Sequence, residues 1–392
     1  MINKTINEID ACCGCGVCSL VCKKNAIFSV EDSKGFTKYM INPSLCINCN
    51  ACRSVCPLNK SNDRQESDSF YLYMTSDRDI YLKSSSGGVF DASAAYIFTK
   101  NKAVCFGVDY DQDMRPRYSC VESYDQIEPF HGSKYISVKS EPEIFERVRS
   151  YLLEGYYVLF TGSPCYINAL LNYLVYNKIN TEKLYTVDFV CHGAGSPSIW
   201  NRNIRAIERR TKKKVVDYRF RYKLSQKNHS FHTLVKLSDN TELLDKPFTK
   251  IYNNLYFRNT LMQEACYNCP YACKKRVSDI SMGDNKGYVY SDQDEIDFTN
   301  ASLVIVNTSK GKELLEHFKR LGYTKKINIE TLIQPHLTTP IVRPTYYDKF
   351  WNEYNKFGYL YLAVKYGAYN PLSIYKLYKS GYLCRSLPAE KL

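Results

Sequence analysis

Two stretches near the start decide how this chain reads: Cys12-Cys13-Gly14-Cys15-Gly16-Val17-Cys18-Ser19-Leu20-Val21-Cys22 and Cys46-Ile47-Asn48-Cys49-Asn50-Ala51-Cys52-Arg53-Ser54-Val55-Cys56-Pro57. Each has the spacing C-x2-C-x2-C-x3-C, and a proline follows the second. Thiolates two residues apart can wrap one inorganic centre along a tight loop, while the fourth opens a short helix pointing away from it. A zinc site uses four ligands and leaves half of these eight unexplained. Nine of the 17 cysteines lie in the first 56 residues, so the clustering itself asks for metal.

The rest of the composition agrees. The chain has 392 residues, 44% hydrophobic, enough for two or three domains with a sizeable core. No apolar run approaches the ~18 residues of a membrane span, which argues against an integral membrane protein. Met1 to Asp10 is polar and Cys12 follows at once, so a signal peptide is not expected. A long, unsecreted chain is a poor disulfide scaffold. A reducing, cytoplasmic setting is expected.

The doubled run is that of a bacterial two-cluster ferredoxin, in which the fourth cysteine of each half serves the other centre. Cys12, Cys15, Cys18 and Cys56 are therefore assigned to one [4Fe-4S] cluster, and Cys46, Cys49, Cys52 and Cys22 to a second. Cys13 reads as a bystander. Gly14 and Gly16 suit left-handed turns. Between the halves, Ala26–Val30 and Phe36–Ile41 fit a hairpin around a turn at Glu31–Gly35.

Residues 1–60 form this head, and the polar stretch 61–69 reads as a linker. From Phe70 a βαβα rhythm begins. Strands are expected at Phe70–Met74, Ala103–Val108, Tyr157–Phe160 and Leu184–Val190. Helices are expected at Val89–Thr99, Glu143–Leu153, Tyr166–Val175 and Pro197–Arg210. Tyr218–Phe248 reads as an antiparallel excursion. Strands at Asp279–Gly283 and Leu303–Asn307 and a helix at Glu313–Leu321 return to α/β. The fold class expected is an α+β ferredoxin-like head, an α/β domain over 70–340 with a mixed, mostly parallel sheet, and a helical tail over 341–392. That tail is aromatic and basic; it suits an ordinary capping helix better than a membrane-surface or partner-docking element.

Cys165 follows the strand Tyr157–Phe160 and Cys191 follows Leu184–Val190, which places both on one rim of a parallel sheet, where α/β proteins bind ligands. Cys266, Cys269 and Cys273 read C-x2-C-x3-C; alone, a CxxC suits zinc, a redox dithiol or an iron-sulfur pair. Ser86, Gly87 and Gly88 precede a helix, where bare N–H groups suit a phosphate or a flavin edge. Thr161, Gly162 and Ser163 form a similar turn.

In order and spacing these motifs resemble the beta subunits of coenzyme F420 hydrogenase and F420-dependent formate dehydrogenase. The matching residues are Ser-Gly-Gly-Val-Phe at 86–90, Gly-Ser-Lys-Tyr at 132–135, Thr-Gly-Ser-Pro-Cys at 161–165, Val-Asp-Phe-Val-Cys-His-Gly at 187–193, Cys-Tyr-Asn-Cys-Pro at 266–270 and Asp-Ile-Ser-Met-Gly-Asp at 279–284. With the head, the resemblance spans roughly residues 8–335. It implies FAD in the α/β domain and a third [4Fe-4S] cluster on Cys165, Cys191, Cys266 and Cys269. It also implies flavin contacts from Lys134 and Tyr135, with Lys134 able to neutralise a reduced flavin or an anionic substrate. Asp279 and Asp284 flank a family motif and suit a ribose hydroxyl. His192 would hydrogen-bond the cluster or flavin and, with Lys134, is the candidate for a role in the chemistry. One departure stands out: where many bacterial members have Gly-Asp-Phe-Trp-Gly, this chain has Gly283-Asp284-Asn285-Lys286-Gly287. An aromatic able to stack on a ring is missing, which weakens the expectation that the substrate, a deazaflavin included, is the one those members use.

The charge of +13 comes from 53 Lys and Arg against 40 Asp and Glu. The densest basic run, 209–214, ends a helix and has no nucleic-acid motif beside it. Three cubanes at about two net negatives each would bring the total to roughly +7 before FAD is counted. The excess therefore suits anionic cofactors and an anionic small-molecule substrate. The expected activity is a flavin and iron-sulfur oxidoreductase working with a redox partner protein or ferredoxin. Two alternatives are an electron-transfer subunit without a substrate of its own, and a reductase of a polysaccharide or cell-envelope precursor.

Overall fold

The computed structural model describes residues 12–59, 66–67, 69–225, 231–290, 294 and 296–367. Most of the expected linker, and the tail beyond residue 367 with Cys384, lie outside the described residues.

The head is a hairpin of β1 (Ile27–Glu31) and β2 (Thr37–Ile41) with two short helices, Val17–Leu20 and Ala51–Val55. The body is built on one mixed sheet. Its strands are β3 (Phe70–Thr75), β4 (Ala103–Tyr110), β5 (Pro116–Val121), β6 (Tyr157–Gly162) and β7 (Leu184–Phe189). A small separate sheet of β8 (Val215–Tyr222), β9 (His232–Leu237) and β10 (Glu242–Leu244) interrupts it, as the irregular alternation there suggests. The large sheet resumes with β11 (Ile280–Asp284), β12 (Ser302–Val306) and β13 (Gly322–Ile327), in the order β13-β3-β12-β11-β7-β6-β4-β5.

Parallel pairing joins β4, β6, β7 and β11 at the centre; antiparallel strands flank them on both sides. The central runs, such as Val158-Leu159-Phe160, are buried on both faces, as helix-covered parallel strands must be. Helices Glu143–Leu153 and Pro164–Tyr176 cover one face; Val89–Ile97 and Ser309–Leu321 cover the other. β5 and β13 were not legible as strands, because each is an edge with a half-exposed, weakly apolar pattern.

The head shares the body's core. Val17, Val21 and Val55 pack with Ile167 and Leu170 of the Pro164–Tyr176 helix. Asn172 Nδ2 donates to the Val55 carbonyl at 3.2 Å, and Tyr271 Oη to the Pro57 carbonyl at 2.6 Å.

The described part of the tail is also core. Helix Tyr347–Lys365 breaks at Gly358, whose φ of 79° is left-handed. It buries Tyr347, Phe350, Trp351, Leu362 and Ala363 against Trp200, Tyr252 and Leu255. Lys34 of the head donates to Tyr347 Oη at 2.9 Å and lies over the Trp351 ring. This corresponds to the capping-helix reading of that segment, not the membrane-surface one. Leu362→Ala is expected to cost about 2–3 kcal/mol in urea unfolding, because a fully buried Leu leaves a cavity; a loss under about 0.5 kcal/mol would show that this helix is peripheral.

Candidate functional site

The two cysteine runs adopt the same backbone. Gly14 and Gly16 have φ of 74° and 77°, and their counterparts Asn48 and Asn50 have 55° and 60°. The Gly14 N–H points at Cys12 Sγ and the Asn48 N–H at Cys46 Sγ, each at 3.4 Å. These left-handed positions turn amides toward sulfur, which steadies thiolate charge. Cys12, Cys15, Cys18 and Cys56 line one cavity, closed by Tyr39, Pro57 and Leu58. Around Cys52 stand Cys49, Cys22 and Cys46. The fourth cysteine of each run thus lies with the other run's three.

A third group gathers on the rim of the sheet. Cys165 sits in the first turn of the helix after β6, and Cys191 follows β7. Cys266 and Cys269 come from the short helix Glu264–Tyr267 and the turn after it. Burial first, then the charges of Cys266, Cys165 and Cys269, push the Cys191 thiol well above its usual range. Burial also pushes Cys266 to about 12 and Cys269 to about 11. In the first group, burial followed by the charges of Cys12 and Cys56 raises Cys18. Thiols packed this way hold their protons unless a cation offsets their charge, so these donor sets suit a metal centre. Among the described residues, no three His, Cys, Asp or Glu side chains converge as they would on a single metal ion.

The first and third groups touch. The Cys13 thiol shares hydrogen bonds with Cys15 and with Cys165. Gln263 Nε2 donates to the Cys12 carbonyl at 2.8 Å, and Tyr166 Oη to the Gly14 carbonyl at 3.3 Å. Cys13 is therefore not a bystander in space. Of the other spare thiols, Cys105 is buried in the core and Cys120 accepts from Arg147 at 2.8 Å. Cys273 donates to the Lys275 carbonyl at 3.3 Å.

The expected flavin contacts separate into two sets. Several are satisfied inside the fold. The Gly87 N–H is not bare: it donates to Ser302 Oγ at 2.8 Å, and a Cβ there would stand 1.9 Å from the Tyr73 carbonyl oxygen. Gly87 is required by close packing. Thr161 Oγ1 donates to the Phe106 carbonyl at 3.0 Å, and the Tyr118 hydroxyl fills the space a Cβ of Gly162 would need. Ser163 Oγ lies 3.3 Å from Cys165 Sγ, beside the third cysteine group. Asp279 immediately precedes β11, at the end of the sheet opposite the rim; Thr186, Thr308 and the Thr186 N–H occupy its oxygens. It staples strands and does not face a ligand on the rim. Lys134 turns its ammonium onto the carbonyls of Pro129 and His131, and burial lowers it to about 8.

The others meet on the rim with partners the sequence reading missed. Asp284 ends β11 and pairs with Arg221 at 2.7 Å. Tyr135 stacks on Tyr256 and lies beside Arg221 and Ser133. Ser133 in turn bonds Ser85 Oγ, next to Ser86 and Gly88. Lys223, 1% exposed, donates to the carbonyls of Tyr81 and Ser86. The signal was available: Arg219, Arg221 and Lys223 alternate with Tyr218, Phe220 and Tyr222, a period-2 stripe with aromatics inside and cations on the other face. The Arg221 guanidinium beside a serine-rich turn suits an anionic group.

Burial lowers Lys223 to about 7. Between that value and the ordinary lysine range the unfolded chain holds a proton that the folded chain lacks, so this group's contribution makes stability rise with pH from about 7 to about 10. Lys223→Met is expected to remove that rise in urea midpoints; parallel pH profiles of the two proteins would contradict it.

His192 sits deep beside the third group. Its Nδ1 is 2.8 Å from His336 Nε2 and its Nε2 is 2.8 Å from Asn259 Oδ1. Burial first, then His336, lowers it to about 4. Both ring nitrogens are thus engaged within the fold.

Residues 156–331 match the family model for the C terminus of the beta subunit in coenzyme F420 hydrogenase/dehydrogenase, and residues 11–60 match that of the 4Fe-4S dicluster domain. The motifs at 86–90 and 132–135 lie outside both matched stretches. No curated protein matches the chain in sequence. One similar solved structure is a chain of the xenon-derivatised F420-reducing [NiFe] hydrogenase complex from Methanosarcina barkeri. It is 17% identical over 70% of this chain and 87% of that one, with a TM-score of 0.44, too distant a likeness to bear on function. The chain thus carries, over residues 156–331, a stretch similar to the C terminus of the coenzyme F420 hydrogenase/dehydrogenase beta subunit, and over 11–60 a stretch similar to a 4Fe-4S dicluster domain.

Proposed function

We propose that this chain is a flavin and iron-sulfur oxidoreductase in which three [4Fe-4S] clusters form one electron path. Cys12, Cys15, Cys18 and Cys56 hold the first cluster, Cys22, Cys46, Cys49 and Cys52 the second, and Cys165, Cys191, Cys266 and Cys269 the third. The observation that carries this reading is the contact of Cys13 with both Cys15 and Cys165. One thiol thereby links the loops of the first and third groups, and ligand loops joined in this way support direct one-electron transfer.

FAD on the rim supplies the exchange between one-electron and two-electron chemistry when bound. Arg221 would hold its anionic part, with Ser85 and Ser133 as hydroxyl donors. Tyr135 would offer a ring face, and Asp284 orients Arg221 through its ion pair. Arg276 steadies the third site: it donates to Asp188 at 2.7 Å and to the carbonyl of Tyr271, two residues after Cys269. The substrate is a small organic anion, in keeping with the basic chain.

The test is anaerobic stopped-flow reduction of the reconstituted full chain. Iron-sulfur bleaching is expected to precede flavin bleaching. Flavin reduction that keeps its full rate after Cys15→Ala, with the first cluster absent, would refute a path through the head.

A further inference from the structure

The two clusters of the head differ in exposure. The first group is the more enclosed: Cys15 and Cys18 are 6% and 8% exposed, and Gln263 and Tyr166 of the body bond its loop at Cys12 and Gly14. The second faces outward. Cys49 is exposed, and Leu45 and Ile47, flanking Cys46, are 49% and 61% exposed. Exposed apolar side chains this large beside a redox centre mark an interaction surface. Cations rim it. Lys23 and Lys24 follow Cys22 and are exposed, and Arg53 follows Cys52. No Asp or Glu occurs between Cys12 and Val30 or between Asn42 and Asn59.

We propose that this face, formed by Leu45, Ile47 and Cys49 inside a rim of Lys23, Lys24 and Arg53, docks a small acidic one-electron carrier protein. The proposal rests on the reading of the head as an electron carrier. Charge complementarity selects the occupant: a carrier rich in Asp and Glu is drawn to the rim, and the cations screen the cluster's own negative charge as it approaches. The apolar centre excludes water between the two redox centres. One electron passes per encounter: the carrier's centre is oxidised by one, the second cluster is reduced by one, and no bond or proton moves. The reverse transfer uses the same face.

The test compares two reductants on the reconstituted full chain under anaerobic conditions. One is a reduced acidic bacterial ferredoxin; the other is reduced methyl viologen, which needs no docking face. Combined Lys23→Glu, Lys24→Glu and Arg53→Glu substitutions are expected to slow ferredoxin-driven reduction roughly tenfold or more at low salt, with the viologen rate within about twofold of wild type. Ile47→Asp should act the same way without changing three charges. In the wild type, added salt should slow the ferredoxin reaction alone. An unchanged ferredoxin rate in the variants, an equal slowing with both reductants, or a flat salt dependence of the wild type overturns the proposal. So does a dimer of this chain that Ile47→Asp dissolves, because a second copy would then occupy the face. Failure of viologen to reduce the wild-type clusters would instead strike at the electron-carrier reading itself.

Discussion

Cys191→Ala is expected to lower the iron content of the anaerobically reconstituted chain from about twelve atoms to about eight, at four per cubane, and to slow flavin reduction at least about 100-fold. The argument is geometric. Cys191 follows the central strand β7 and stands among Cys165, Cys266 and Cys269, which reach the rim from other segments. Removing it leaves three buried thiols that repel one another when ionised, and a cubane with an open corner is lost under turnover. The head is outside this change. Its eight cysteines keep their own loops, and reduction of its clusters by viologen should keep its rate. The separation of the two rates makes the result specific, since a misfolded chain would lose both. An iron content that stays near twelve would remove Cys191 from the ligands.

Asp188→Ala should be the most damaging single change outside the cysteines, at about 3–5 kcal/mol. Asp188 and Arg276 pair at 2.7 Å with side chains 0% and 1% exposed. The guanidinium also donates to Ser281 Oγ and to the carbonyls of Tyr271 and Phe189. This single cation ties the loop of Cys266 and Cys269 to β7 and β11. Truncating the aspartate leaves a buried charge with carbonyls and a hydroxyl as its only partners. Replacing both, with Asp188→Leu and Arg276→Met, should cost less than Asp188→Ala alone, because no charge is stranded. Urea unfolding of the apo chain reads both values free of cluster loss. A double variant less stable than Asp188→Ala would show that the pair itself, not the stranded charge, sets the loss.

How much could be read in advance follows from what each signal encodes. Eight head cysteines were legible because ligand spacing is local: each run carries its own loop geometry, and the structure repeats it at Gly14 and Asn48. The central strands were legible because burial on both faces writes an unbroken apolar run, as in Val158-Leu159-Phe160. Edge strands β5 and β13 carry no such run. The expected cofactor contacts failed where small residues serve packing. Gly87 and Gly162 look like phosphate turns in sequence, yet neighbouring atoms fill the space beside them. Asp279 looked like a ligand because a motif contained it, but its chain position puts it just before a strand, opposite the rim. Arg221, which reaches the rim, lies on β8; its alternation with aromatics is local, but its place beside Asp284 comes from packing between sheets. Arg276 with Asp188, and His192 with His336, are likewise contacts between residues 88 and 144 positions apart.

The central claim is that one chain holds a continuous path of three clusters ending at a flavin. It is tested most directly by metal and cofactor analysis of the full chain purified without oxygen. The prediction is about twelve iron and about twelve sulfide per chain, at four of each per cubane, with one tightly bound FAD. About eight iron with one zinc, or a full set of clusters with no flavin, would contradict it.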